Sequence, residues 1–208
     1  MDKASDVSSN EIGSCAPPLP RAFLSLELTS EIRDGLVRTL RRLRFTTTRV
    51  SWVPPENLHV TLFFLGDSPP ERLAELMARL RQITPPLPAF GCIVAELGTF
   101  GSPRSPRVVW AGVTDPSGSL IHLIEVIQDT AAALGWPLEK RENRPHITLG
   151  RIKPGPRDPD WNRRMERDRV HNWGILPVSR LLLMQSHLKP EGARYSILDE
   201  IALSGSHG

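Results

Sequence analysis

One short strand pattern occurs twice in this chain, first as His59-Val60-Thr61-Leu62 and again as His146-Ile147-Thr148-Leu149. Each copy reads His, β-branched apolar residue, Thr, Leu. Alternate residues of a strand share a face. His59 therefore stands beside Thr61 and His146 beside Thr148, while Val60, Leu62, Ile147 and Leu149 turn toward a core. The chain must accordingly fold with two strands that each hide one face and present a His/Thr wall on the other. A lone His-x-Thr on a strand is ordinarily a structural or surface feature. Two copies with the same residue classes in the same phase, both in strongly apolar strands, favour a shared site with an imidazole on either side of one ligand.

The remaining periodicities place these strands in an α+β chain. Arg21 to Leu28 alternates as a first strand, and Thr29 or Ser30 caps a helix whose stripe is Ile32, Leu36, Leu40 and Leu43,. Arg33, Arg38, Arg41 and Arg42 form its solvated face. The first His strand runs to Gly66. Ser68-Pro69-Pro70-Glu71 reads as a helix start with Ser68 as N-cap. Leu73, Leu76, Met77 and Leu80 follow as its stripe, and Pro85 and Pro86 stop it. A strand over Phe90–Leu97, a Gly/Pro/Ser loop over Gly98–Pro106 and a strand over Arg107–Val113 come next. Asp115-Pro116-Ser117-Gly118 is a turn. The third helix runs from Leu120 to Leu134 with Gly135 at its C-terminal cap. After the second His strand, Pro154-Gly155-Pro156 breaks the chain and the charged stretch Asp158–Arg169 forms a short helix. Strands over Pro177–Leu188 and Arg194–Ala202 finish the order, which fits mainly antiparallel sheet. Residues 1–20 read as a disordered tail, 21–203 as a single domain of two similar halves, and 204–208 as a frayed end.

Composition narrows the function classes. A hydrophobic fraction of 39% and 24% charged residues suit a globular protein, and a net charge of +3 permits a nucleic-acid partner without requiring one,. No apolar run reaches the roughly 20 residues of a membrane span, and the N-terminus lacks a signal-peptide layout. Cys15 and Cys92 form no disulfide framework, which suits a reducing cytoplasm. Neither cysteine has metal-site spacing, and His122, His171, His187 and His207 show no ligand-like spacing with the repeated pairs. No metal and no other cofactor is therefore expected. A Gly-x-Ser-x-Gly elbow and a nucleotide-binding Gly-x-x-x-x-Gly-Lys loop are both missing. Two imidazoles, each with an ordinary pKa near 6.5, can take a proton from water and give one to a leaving oxygen. Threonine hydroxyls on the same face can hold an oxyanion. That set suits phosphoryl chemistry.

These residues resemble the 2H phosphoesterase superfamily, and within it the RNA 2′,3′-cyclic phosphodiesterases, historically called 2′-5′ RNA ligases. The resemblance rests on Arg21-Ala22-Phe23-Leu24-Ser25-Leu26, Asn57-Leu58-His59-Val60-Thr61-Leu62-Phe63-Phe64-Leu65-Gly66, Gly98-Thr99-Phe100, Pro106-Arg107-Val108-Val109-Trp110 and Arg144-Pro145-His146-Ile147-Thr148-Leu149-Gly150-Arg151. It covers about Arg21 to Ala202. It implies a bilobal, pseudo-two-fold fold of two mainly antiparallel sheets with helices outside and a central groove. It further implies His59 as proton donor to the leaving ribose oxygen, His146 as proton acceptor from water, and Thr61, Thr148 and Arg151 as phosphate ligands. Phe100 matches an aromatic that stacks on a base, whereas Trp110 is expected in the core. Arg104 and Arg107 flank the site in sequence. The implied activity is hydrolysis of an RNA 2′,3′-cyclic phosphate end to a 2′-phosphomonoester, with ATP-independent ligation as its reverse, and a monomer is expected. Two other readings stand beside it: a catalytically silent module that binds RNA ends, and a relative acting on a small cyclic nucleotide phosphate.

Overall fold

The computed structural model describes residues 18–84, 89–102, 105–138, 144–190 and 192–203. Most of the expected tail with Cys15, the Pro85-Pro86 stop, Arg104 and the C-terminal end with His207 lie outside the described residues. The elements are β1 (Arg21–Leu26), α1 (Ser30–Leu43), β2 (Val50–Trp52), a 3-10 turn (Pro55–Asn57), β3 (Val60–Asp67), α2 (Pro70–Ile83), β4 (Phe90–Ser102), β5 (Ser105–Thr114), α3 (Ser119–Ala133), β6 (His146–Ile152), α4 (Trp161–Arg167), β7 (Asn172–Val178), β8 (Arg180–Lys189) and β9 (Gly192–Ala202).

All nine strands join one antiparallel sheet in the order β7-β4-β5-β6-β3-β1-β8-β9, with β2 beside β6. The two sheets expected from the repeat are thus two halves of a curled whole. Their seam is narrow: among the described residues β3 and β6 share one register pair, Val60↔Ile147. These are the residues that follow the two histidines. An antiparallel register through that pair sets His59 level with Thr148 and Thr61 level with His146. Each half repeats a strand–helix–His strand–helix sequence, β1-α1-β3-α2 and β5-α3-β6-α4.

The apolar sides of the His strands are buried as the alternation requires, with Val60, Ile147 and Leu149 at 0% exposure and Leu62 at 3%. Helices cover that side. On α1 the stripe Ile32, Leu36, Leu40 and Leu43 is buried, and the Thr29 hydroxyl caps the first turn by accepting from the Ile32 amide. Gly35 meets the Trp173 ring of β7 closely, and the Trp173 indole donates to Thr39 Oγ1 at 3.2 Å. Of the arginines expected on its solvated face, Arg42 instead pairs with the buried Asp168 at 3.0 Å. Cys92 is buried, and burial pushes its thiol up to about 12. No helix of the described residues is long and apolar enough to cross a membrane.

Several local expectations change. Ser68 does not cap α2; Pro69 occupies that position. The Ser68 hydroxyl faces inward, donating to the Leu65 carbonyl at 3.0 Å and accepting from the Trp136 indole at 3.2 Å, because two prolines already carry the chain into the helix without it,. The Gly98–Pro106 stretch is a hairpin of paired strand, Ser102↔Ser105 at its end, in place of an open loop. Its glycines serve close approach: a Cβ on Gly98 would lie 2.2 Å from the Trp110 ring. β2, and β7 as far as Leu176, arise where no strand was expected, because each is completed by a distant partner, β6 and β4, and the strand expected over Pro177–Leu188 is divided at Ser179 between the end of β7 and β8.

Candidate active site

His59 immediately precedes β3 and His146 opens β6. The two rings are held in the same way. Nδ1 of His59 lies 2.7 Å from the Asn57 carbonyl, and Nδ1 of His146 lies 2.7 Å from the Arg144 carbonyl. A carbonyl only accepts, so each Nδ1 carries a proton and donates, which leaves Nε2 as the titrating atom of both rings. Nε2 of His59 is 3.0 Å from Thr61 Oγ1, so the threonine hydroxyl donates to it while the ring is neutral. Asn57 is itself pinned, its amide donating to the Ala193 carbonyl of β9 at 2.6 Å.

Aromatic rings buttress both imidazoles. Phe23 of β1 packs on His59 with centroids 4.9 Å apart, and Tyr195 of β9 meets His59 edge-on at 5.1 Å. Phe100 of β4 meets His146 edge-on at 4.8 Å and packs in turn on Trp110 at 5.2 Å. Trp110, expected in the core, is instead half-buried outside it, in the support behind the second histidine, with Gly98 leaving room for its indole.

A cavity of about 470 Å³ opens over the His/Thr face and includes His59, Thr61, Thr148 and Arg151 in its wall. His146 and Phe100 are outside that lining. His146 is still close enough for its charge to act on His59. Burial holds the His59 pKa below 6.5, with repulsion from His146 adding to the depression and the Asn57 carbonyl opposing it. Tyr195 is raised above its usual value by burial, partly offset by the nearby Arg151 guanidinium. Arg151 stands opposite Ser51 of β2. That strand approaches so closely that a Cβ on the neighbouring Gly150 would lie 2.8 Å from both Trp52 and Val50. Arg107 pairs with no predicted site residue and stays exposed on β5.

Sequence reasoning gave no site role to Arg21, Phe23, Asn57 or Tyr195. Asn57 carries a local signal, two residues before the histidine. Arg21, Phe23 and Tyr195 carry none, since only the pairing of β1 with β3 and β8, and of β8 with β9, brings them to the cavity.

A strand–helix repeat with one anchored histidine per half defines a class, and comparison with known proteins defines it further. The family described as LigT like phosphoesterase matches residues 26–110. A protein of Archaeoglobus fulgidus named RNA 2′,3′-cyclic phosphodiesterase is 33% identical, over 86% of this chain and 97% of its own length. Among solved structures, TT0787 of Thermus thermophilus superposes with a TM-score of 0.74 at 29% identity, covering 90% of this chain and 100% of that one. The E. coli LigT structure complexed with 3′-AMP gives 0.72 at 29% identity, over 91% and 100%. The chain belongs to the LigT-like phosphoesterase family, within the 2H phosphoesterases, and is an enzyme of the phosphodiesterase type.

Proposed function

We propose that the protein hydrolyses the 2′,3′-cyclic phosphate end of RNA to a 2′-phosphomonoester by acid/base catalysis between two histidines. The observation that carries this reading is the matched anchoring of the two rings: each Nδ1 is committed to a carbonyl two residues back, so Nε2, which in His59 lies beside the Thr61 hydroxyl, is the nitrogen left to exchange a proton. The name borne by the Archaeoglobus fulgidus relative supports the substrate.

In this reading Thr61, Thr148 and Arg151 hold the non-bridging phosphate oxygens. Nε2 of His146 takes a proton from water as the water oxygen attacks phosphorus. The bond from phosphorus to the ribose 3′ oxygen breaks, and Nε2–H of His59 protonates that oxygen. The products are a 2′-phosphate and a 3′-hydroxyl, and exchange with solvent resets both rings. The lowered pKa of His59 is compatible with its acid role, because a phosphate anion between the rings favours the imidazolium,. Both proton transfers come from the chain, so the mechanism needs no metal. A 5′-hydroxyl attacking phosphorus in place of water gives its proton to His146, while the 3′ oxygen leaves and takes a proton from His59, which joins RNA ends by a 2′-5′ bond without ATP.

The test is to incubate a cyclic-ended oligonucleotide with the protein in EDTA, without nucleotide, and identify the product by phosphorus NMR. A 2′-phosphate is expected. A 3′-phosphate overturns the polarity given to the two histidines, and dependence on added metal overturns the two-histidine mechanism.

A further inference from the structure

The cavity is of a size that takes a nucleotide-scale ligand rather than a phosphate group alone,. Its lining is lopsided. Beyond Thr148 and Arg151 it runs over the first-histidine half, along Arg21 and Phe23 of β1, Phe64 of β3, Leu188 of β8 and Tyr195 of β9. Phe100, the aromatic expected to stack on a base, has no place in that wall.

The far end of this arm carries two features that the chemistry at the histidines does not use. Phe64 is 61% exposed, whereas its strand neighbours Phe63 and Leu65 are 5% exposed. An aromatic face left open in a concave wall is a stacking surface for a base. Arg21 lines the same end, and among the described residues no carboxylate lines the cavity. Arg21 has no ion-pair partner among the described residues, Asp67 of the facing strand included, whereas Arg42, Arg81 and Arg180 are each paired with a carboxylate. The register sets the spacing. Ser25 stands opposite Thr61 and Arg21 opposite Asp67. Arg21 is therefore four residues along β1 from the level of Thr61, roughly 13 Å of backbone. Between them Phe23 and Phe64 pair across the strands with centroids 6.2 Å apart.

We propose that this arm is a subsite for the terminal nucleoside and the phosphate on its 5′ side, with Phe64 under the base and Arg21 on that phosphate. The inference rests on the cyclic phosphodiesterase reading and narrows its substrate class. The preferred substrate is a cyclic end that continues into a polynucleotide, or that carries a 5′-phosphate, over a free cyclic nucleotide with a 5′-hydroxyl.

Two probes with the same base test this on the full-length protein: adenosine 2′,3′-cyclic phosphate, and the same compound phosphorylated at its 5′ oxygen. The 5′-phosphate raises kcat/KM about tenfold, the scale of one charge-assisted contact. In Arg21→Gln the ratio between the probes falls to near one, and Arg21→Lys restores part of it, with thermal melting confirming that both variants fold. Phe64→Ala lowers kcat/KM for both probes, by about tenfold, and leaves their ratio intact. Equal turnover of the two probes by the unaltered protein overturns the subsite and leaves the phosphodiesterase reading standing. A ratio that persists in Arg21→Gln removes Arg21 from the role. Failure to turn over either probe or a cyclic-ended oligonucleotide overturns the phosphodiesterase reading and the subsite together.

Discussion

At the scale of single residues, the site depends on which nitrogen of each imidazole is already committed. The Asn57 and Arg144 carbonyls fix one tautomer in both rings, so proton traffic is confined to Nε2. In the proposed mechanism His59→Ala and His146→Ala each lower kcat by about 10²–10⁴ while melting like the parent protein, and full activity in either variant with native melting refutes the mechanism. His59 also makes a prediction that needs no substrate. Its pKa lies below 6.5 through burial and the charge of His146. By NMR, the ring therefore titrates below 6.5, and His146→Ala moves the midpoint upward without restoring the ordinary value, because burial is the larger cause. The effect on stability has a definite sign. As pH falls through 6.5 the unfolded chain binds a proton that the folded ring still refuses, so stability declines until the lower folded pKa has been passed. The urea midpoint accordingly drops on acidification from pH 7, and drops less in His59→Gln.

At the scale of elements, β6 is the strand on which the site turns. It carries His146 and Thr148, crosses β3 at a single pair, and is then flanked by β2 along Gly150–Ile152. Gly150→Ala forces a Cβ against Trp52 and Val50 and costs about 1–3 kcal/mol, read from urea unfolding, with a fall in kcat/KM as Arg151 shifts beside it. Ser68→Ala removes the hydroxyl shared by the Leu65 carbonyl and the Trp136 indole, a loss of about 1–2 kcal/mol on the same assay. The His strands and the three long helices were legible in the sequence because strict alternation and 3.6-residue stripes are local signals. The hairpin at Gly98–Pro106 was not, because Gly98 is there to admit Trp110 and Gly101, with φ +110°, to let the backbone approach the Ser105 carbonyl, and the pair mimics a loop. Nor was β7, whose Gly174 and Pro177 interrupt the alternation and whose strand character comes from pairing with β4. Ser68 carried the local signature of a cap, and a tertiary hydrogen-bond demand from Trp136 took precedence over it.

At the scale of the whole molecule, the cavity is assembled from strands far apart in the chain, which is why His59, Thr61, Thr148 and Arg151 could be picked out in advance while Arg21 and Tyr195 could not. Their arrangement predicts how the protein responds to salt. On the proposed subsite, a cyclic-ended oligonucleotide meets more of the cavity's cations than a cyclic mononucleotide does, and its kcat/KM is expected to fall more steeply with salt, by about 0.7 in log–log slope for each added phosphate contact. Parallel slopes for the two substrates mean that only the terminal phosphate is read. The position of β1 has a consequence for how the protein is made. One edge of β1 pairs with β3, which follows it closely, but the other waits for β8, which begins at Arg180. At ~5–20 residues added per second, roughly 8–30 s pass between the emergence of the two strands from the ribosome. During that interval both histidines have been synthesised, yet the sheet that cradles them has a bare hydrophobic edge, open to wrong pairing. The nascent chain then shows the kind of unpaired edge that chaperones exist to cover, and the sheet around the histidines is completed only as its last two strands arrive,.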